Sequence, residues 1–321
     1  MTLPSQYMID RRRLRRKLTF WRIGAVVAVL VGALAFAVKF SGIDTLEKST
    51  PHVARLAIEG VITGDKDTIE LIKEIGASKA SAVLLSINSP GGTTTGSEAI
   101  FLELRRLSEK KPVVAVVRDM AASGAYIAAI GSDEIFAQGN SIVGSIGVLI
   151  EFPNFYKALD ALGITVEAIK STPLKAAPNG LEPTSEAARQ AINALVVDSY
   201  DWFKGLVKER RGLDDAELAK VADGRVFTGR QGLPLKLVDA IGGEKEAIEW
   251  LETNKGVAKK LPIRDWKKKP SIERAGLLGL AASSARLLGM ETLAKVIDSA
   301  TLHPGAGLDG LLAIWQGPPR E

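Results

Sequence analysis

Arg118-Asp119-Met120-Ala121-Ala122-Ser123-Gly124-Ala125-Tyr126-Ile127-Ala128-Ala129 is the stretch on which the reading of this chain turns. It follows Pro112-Val113-Val114-Ala115-Val116-Val117, which has the unbroken apolar character of a strand buried on both faces. Small and apolar residues at helical density come after Ser123, so the serine is expected where a strand hands over to a helix. A hydroxyl there meets unpaired helix N–H groups and the positive dipole end, which favour a developing negative charge. The same position also suits an ordinary N-cap serine.

Working outward, the chain alternates. Toward the N-terminus, Val53–Ile58 reads as a strand that Gly60-Val61-Ile62 extends, and Thr68–Ile75 carries a helical pattern. Ala82–Asn88 is another apolar strand, ending in Ser89-Pro90-Gly91-Gly92, with a helix over 95–107 behind it. Toward the C-terminus the pattern predicts strands at 134–137 and 146–150, a helix at 154–162 and a strand at 165–169. Helices follow at 185–211, at 214–222 and from 244. This βα repeat predicts an α/β fold with parallel strands.

Composition narrows the function classes. The chain has 321 residues, enough for a core domain of roughly 200 residues with appendages. Its net charge of +5 is local: residues 1–50 hold nine Lys/Arg against three Asp/Glu, so the remainder sums to about −1. The body shows no basic stripe for nucleic acid. There is no cysteine, which excludes disulfides, zinc–thiolate sites and a cysteine nucleophile. The two histidines, His52 and His303, lie outside the stretches with catalytic character. A serine enzyme built from this chain therefore uses a base other than histidine.

The N-terminus carries its own device. Residues 11–17 read Arg-Arg-Arg-Leu-Arg-Arg-Lys, and Ile23–Val38 then runs sixteen residues without a charge. With Leu18–Trp21 ahead of it and snorkelling ends at Arg22 and Lys39, the run approaches the length of a membrane span. A cleaved signal peptide shares this basic front and apolar middle; the long core and its Phe-Trp belt favour an anchor that is kept. Arginines before the span place the N-terminus in the cytoplasm and the body on the far side.

Two further turns hold chemistry. Ser89-Pro90-Gly91-Gly92 is not a phosphate loop, because Gly96 is followed by Ser97 and Glu98. It can offer main-chain N–H groups to an oxyanion, with Gly91 or Gly92 on one side and Gly124 on the other. The base can be a lysine made acidic by burial. Lys170 and Lys175 are the candidates, Lys170 ending the strand at 165–169 and Lys175 in the loop behind it. Gly144-Ser145-Ile146-Gly147 is a turn whose Ser145 can hold a neutral amine in place.

Together these segments resemble the signal peptide peptidase family of membrane-anchored serine–lysine proteases, on the Clp-protease/crotonase-like fold of repeated β-β-α units. The matching pieces run from Asn88 to Gly92, Met120 to Tyr126, Gly144 to Val148 and Lys170 to Lys175. Gly224 to Arg230 and Leu237 to Gly243 complete the series. The resemblance covers about residues 53–250 with one catalytic repeat. It implies Ser123 as nucleophile, Lys175 as general base, Ser145 as the group that orients the lysine, and the Gly91-Gly92 turn with Gly124 as the oxyanion site. It departs from the family at Lys236, where a glycine is expected before Leu237-Val238-Asp239; the position is remote from the dyad.

The resemblance further implies a ring-shaped homo-oligomer in which lysine and serine can come from neighbouring subunits, and no metal or organic cofactor. Cleaved signal peptides and other extended apolar peptides are the expected substrates, and nucleic acid is not a partner. The expected domains are a basic cytoplasmic N-terminus (1–22), a transmembrane anchor (23–40), a linker (41–52), a peptidase domain (53–260) and an apolar tail (261–321). The tail can meet membrane, a neighbouring subunit or the main domain. The expected location is the bacterial inner membrane with the catalytic domain on the extracytoplasmic side. Two other classes fit the fold: a crotonase-like acyl-CoA enzyme and an inactive membrane scaffold.

Overall fold

A computed structural model describes residues 48–268 and 312–315, with a few helical positions between 17 and 27. The chain divides into two units, Met1–Thr50 and Pro51–Glu321. In the first, Phe20 and Trp21 are exposed on helical backbone. The expected anchor at 23–40 lies almost wholly outside the described residues. Among the described residues no helix is long and apolar enough to cross a membrane.

The second unit is built on a mostly parallel sheet. Its centre is β1 (His52–Ile62), β2 (Ala80–Thr93) and β3 (Val113–Ala122), joined by the crossover helices α1 (Lys66–Ala77) and α2 (Thr94–Ser108). Both faces of β2 are covered. Val83, Leu85 and Ile87 enter the larger core, while Ala82 and Leu84 join Val114 and Val116 in a smaller one. Burial on both sides is why these strands read as continuous apolar runs. α1 begins at Asp65, whose carboxylate accepts from Thr68 N at 2.9 Å, and it buries Thr68, Leu71, Ile72 and Ile75 along one stripe.

The other strands are β4 (Glu134–Ala137), β5 (Ile142–Gly144), β6 (Val226–Thr228), β7 (Ala240–Ile241), β8 (Ile263–Trp266) and β9 (Leu312–Ile314). The main order is β6-β5-β3-β2-β1-β8; β4 and β7 lie off the first half of β3, and β9 lies off the end of β2. β3 changes neighbour along its length: Val114–Val117 pair with β4, and Met120–Ala122 pair with β5. Register shifts between Ile87 and Ser89 and between Glu59 and Val61 bend the strands, so their ends form a second surface beside Ser123. This mixed α/β architecture fits a Clp-protease-like fold.

The remaining helices are α3 (Gly124–Ala129), α4 (Tyr156–Ala161), α5 (Glu186–Arg211), α6 (Asp215–Val221), α7 (Gly229–Gly232) and α8 (Glu244–Asn254). Most expected elements lie where the sequence pattern puts them, and three regions differ. Residues 146–150 are not a strand: positive φ at Gly144 (95°) and Ser145 (53°) ends β5 early, and beyond it Leu149 alone makes a bridge, to Leu312. Residues 165–169 are also not a strand, since among the described residues no neighbouring strand completes their backbone hydrogen bonds. Both described parts of 261–321 are strands of the sheet, β8 on β1 and β9 on β2. The apolar faces expected over 277–297 lie outside the described residues.

Candidate active site

Ser123 stands between the last residue of β3 and the first of α3, with φ 55° and ψ −118°. A non-glycine residue held there costs on the order of 1–3 kcal/mol. The conformation is locked from both sides: Ser123 N donates to Gly144 O at 2.8 Å, and Ser123 O accepts from Tyr126 N at 2.9 Å and Ile127 N at 3.1 Å. The side chain does not cap α3. Among the described residues its hydroxyl reaches only Gly147 O, at 3.5 Å, a distance at which a hydrogen bond is weak. The N-cap reading is therefore not realised; Ser123 is 1 % exposed, strained and poorly satisfied.

The glycine turn and Gly124 come together against this serine. A Cβ on Gly91 would lie 2.7 Å from Gly124 N, and one on Gly124 would lie 3.2 Å from Gly92 N. A Cβ on Gly92 would sit 1.9 Å from Ile62 O, so the end of β1 presses on the turn. Glycine is needed here because backbone meets backbone. Ser89, fully buried, accepts from Gly91 N at 3.1 Å, which commits that N–H and leaves Gly92 and Gly124 as the candidate donors. Ser97 supports the same point: its hydroxyl is bound to Thr93 O at 2.9 Å and lies 2.3 Å from where a Gly124 Cβ would stand. Sequence reasoning did not single out Ser89 or Ser97, since a buried serine in a turn carries no pattern of its own.

Ser145 is also near, buried and at positive φ, with its N–H donating to Arg225 O at 2.8 Å. Tyr126 is structural. Its hydroxyl donates to Leu237 O at 2.9 Å, and burial pushes the phenol above its ordinary range. His52 lies at the start of β1 and accepts from Trp266 Nε1 at 3.1 Å. Ile62, which pairs with Gly92, is at the other end of that strand, roughly 30 Å away at 3.3 Å per residue. His52 is out of reach of Ser123.

The lysines lie elsewhere. Between Ile150 and Ser185 the chain leaves the sheet as an arm, held by Phe155 N donating to Gly180 O at 2.7 Å and Asn154 Nδ2 donating to Glu182 O at 3.3 Å. Lys170 is ion-paired with Glu182, and that hydrogen bond holds the Glu182 carboxyl below the usual carboxylate range. Lys175 is exposed, and among the described residues its side chain makes no hydrogen bond or ion pair with Ser123 or Ser145. The arm is apolar and bare: α4 buries none of its residues, Leu162 is 73 % exposed, and Ile164, Val166 and Ile169 are exposed beside it. One copy of the chain thus unites the nucleophile candidate with the oxyanion candidates and holds Lys175 apart from them.

The model of peptidase family S49 matches residues 105–258, a span that includes Ser123, Ser145 and Lys175 and leaves Gly91-Gly92 outside. The chain is similar to "Putative protease slr0021" of Synechocystis sp., 36 % identical over 207 residues, which are 64 % of this chain and 75 % of that protein. It is similar to "Putative signal peptide peptidase SppA" of Enterococcus faecium, 33 % identical over 229 residues, 66 % of this chain and 67 % of that one. It is also similar to "Protease 4" of Haemophilus influenzae, 32 % identical over 211 residues; these are 62 % of this chain and 34 % of that longer protein.

Proposed function

The chain belongs to peptidase family S49, and we propose that this serine peptidase is a membrane-anchored endopeptidase that degrades cleaved signal peptides and other extended apolar peptides. The observation that carries the reading is the meeting of a strained, uncapped Ser123 with the backbone N–H groups of Gly92 and Gly124. Ser123 Oγ attacks the scissile carbonyl, Lys175 takes the hydroxyl proton and returns it to the leaving amine, and the two N–H groups hold the oxyanion. Ser145 orients the lysine. The substrate lies as an extended strand along the edge of β2 beyond Pro90, in the place that β9 takes in this chain, where main-chain hydrogen bonds bind any sequence and apolar walls select among them.

Lys175 reaches Ser123 from a neighbouring subunit. Support comes from the arm that carries it, whose exposed Leu162, Ile164, Val166 and Ile169 form the kind of surface that marks a protein–protein contact. α5 adds to that surface: Leu195 and Val197 are exposed on its first half. A closed ring of identical subunits satisfies every arm. The basic run 11–17 ahead of the apolar run 23–38 supports an anchor with the peptidase unit outside the cytoplasm. A second reading, an inactive membrane scaffold, is favoured by the separation of Lys175 from Ser123 in the single chain.

The test is cleavage of a quenched Leu/Ala-rich signal-like peptide by the full chain in detergent, beside Ser123→Ala and Lys175→Ala. The expected result is turnover by the parent that rises with pH as the base loses its proton, and a loss of at least about 10³-fold in each variant. Activity that survives Lys175→Ala moves the base elsewhere, Lys170 first. A parent that assembles and cuts nothing favours the scaffold.

A further inference from the structure

Lys170 is the lysine that the mechanism leaves unused, and in the structure it is engaged elsewhere. Its side chain is only 17 % exposed, whereas Lys175 lies open to solvent. The Lys170 ammonium donates to Glu182 Oε1, and Asn179 Nδ2 donates to the same oxygen at 2.7 Å. An ammonium has no lone pair with which to take a proton from a serine. The two partners are twelve residues apart with Lys175 between them, so their pairing closes a loop around the proposed base.

That loop is tied down at several points. Lys175 N donates to Thr172 O at 3.1 Å and Ala177 N to Leu174 O at 3.2 Å, which places Lys175 in a tight turn. Leu181 N donates to Asn179 Oδ1 at 3.0 Å, and this sets the Asn179 amide toward Glu182. Lys170 and Glu182 line one small cavity with Pro173, Pro178 and Pro183, whose rings fix φ and stiffen its wall. Just beyond Glu182, Ser185 caps α5 by accepting from Ala188 N at 3.2 Å, and α5 packs Phe203 and Val207 into the core. The ion pair thus fastens the turn that carries Lys175 to the start of a helix anchored in the main unit.

We infer that Lys170 and Glu182 are positioning residues for the base: their ion pair closes the 170–182 loop and holds Lys175 in the pose from which its amine takes the Ser123 proton. This rests on the assignment of Lys175 as base in the reading above. With the pair broken, Lys175 keeps its chemistry and loses its place. A displaced base slows turnover, while a peptide bound along the sheet edge is held as before.

Steady-state kinetics of the signal-like peptide test this, with the full chain in detergent and assembly followed by light scattering. Glu182→Gln and Lys170→Met are each expected to lower kcat by about 10²-fold with KM and assembly retained. Lys170→Arg, which keeps the ion pair, recovers most of that loss. Parent-like kcat in Glu182→Gln overturns the inference and leaves the peptidase reading standing; if both Lys170 variants are then inactive, Lys170 is itself the base. A change confined to KM, or a loss of assembly, makes the pair a binding or docking element and overturns the inference equally. Activity that survives Lys175→Ala removes the base it serves and overturns it while leaving a serine peptidase. A parent that cuts nothing overturns both readings.

Discussion

Ser123 accepts a positive φ and a hydroxyl with nothing better than a 3.5 Å contact, two features that packing alone does not call for. The glycines around it are the residues least open to change. Gly92→Ala puts a Cβ 1.9 Å from Ile62 O, so the turn must move. Peptide turnover is expected to fall by about 10²-fold or more, the size of a lost oxyanion donor, with the circular dichroism spectrum retained. Tyr126→Phe removes the buried hydroxyl's bond to Leu237 O and leaves that carbonyl unpaired. It is expected to lower unfolding free energy by about 1–2 kcal/mol in a urea titration. Glu134 behaves differently. Burial, then the charge of Asp239, raises its carboxyl above the ordinary range, against the pull of Arg211 and Lys255. A carboxyl raised by folding destabilises the fold while ionised and ceases to do so once protonated. Glu134→Gln is therefore expected to raise thermal stability at neutral pH, by less than about 1 kcal/mol given its contact with solvent. The gain disappears as pH falls through the raised value, which melting curves at pH 4 and pH 7 will show.

At the scale of elements, β2 and the arm show opposite relations between pattern and structure. Ala82–Asn88 is apolar throughout, and two sets of neighbours cover it within the chain, one on each face. Thr165–Ile169 also has strand character, yet the described chain offers it no partner, and Ile169 stands free of the rest of the fold. A strand needs a ladder as well as a propensity. If neighbouring copies supply that ladder, backbone amides of 165–169 exchange hydrogen quickly in dilute, dissociated protein and at least about tenfold more slowly in the assembled form. Equal exchange in both states would leave the arm without a docking role. β5 shows the reverse case. Its apolar run points to residues 146–150, but the left-handed backbone at Gly144 and Ser145 stops pairing there and turns the chain toward Ser123. That is a requirement of the site, and hydrophobic period does not report it.

For the whole molecule, the question is whether one chain makes one complete site. Here the proposed nucleophile and oxyanion donors belong to the sheet, and Lys175 belongs to an arm with exposed apolar residues. If the site is shared, Ser123→Ala and Lys175→Ala subunits are each inactive alone. Mixed and allowed to reassemble, they regain about a quarter of parent turnover, because a random ring places intact serine beside intact lysine at that frequency. No recovery in mixed assemblies, with exchange of subunits verified, places both residues in one subunit.

How much could be read in advance divides along physical lines. The βα alternation, the parallel sheet and the strand-to-helix place of Ser123 follow from local pattern, because burial on two faces and the change of period are written into consecutive residues. The exclusion of cysteine follows from counting, and that of His52 as a base from strand length. The glycine turn and family likeness both suggested the approach of Gly92 to Gly124, but local pattern could not decide it, since these residues are far apart in the chain and meet when β2 and β3 pair. Nothing in the order of residues placed Leu312–Trp315 on β2. A short strand finds its partner by filling an open edge, and which edge is open emerges only once the sheet has closed around it.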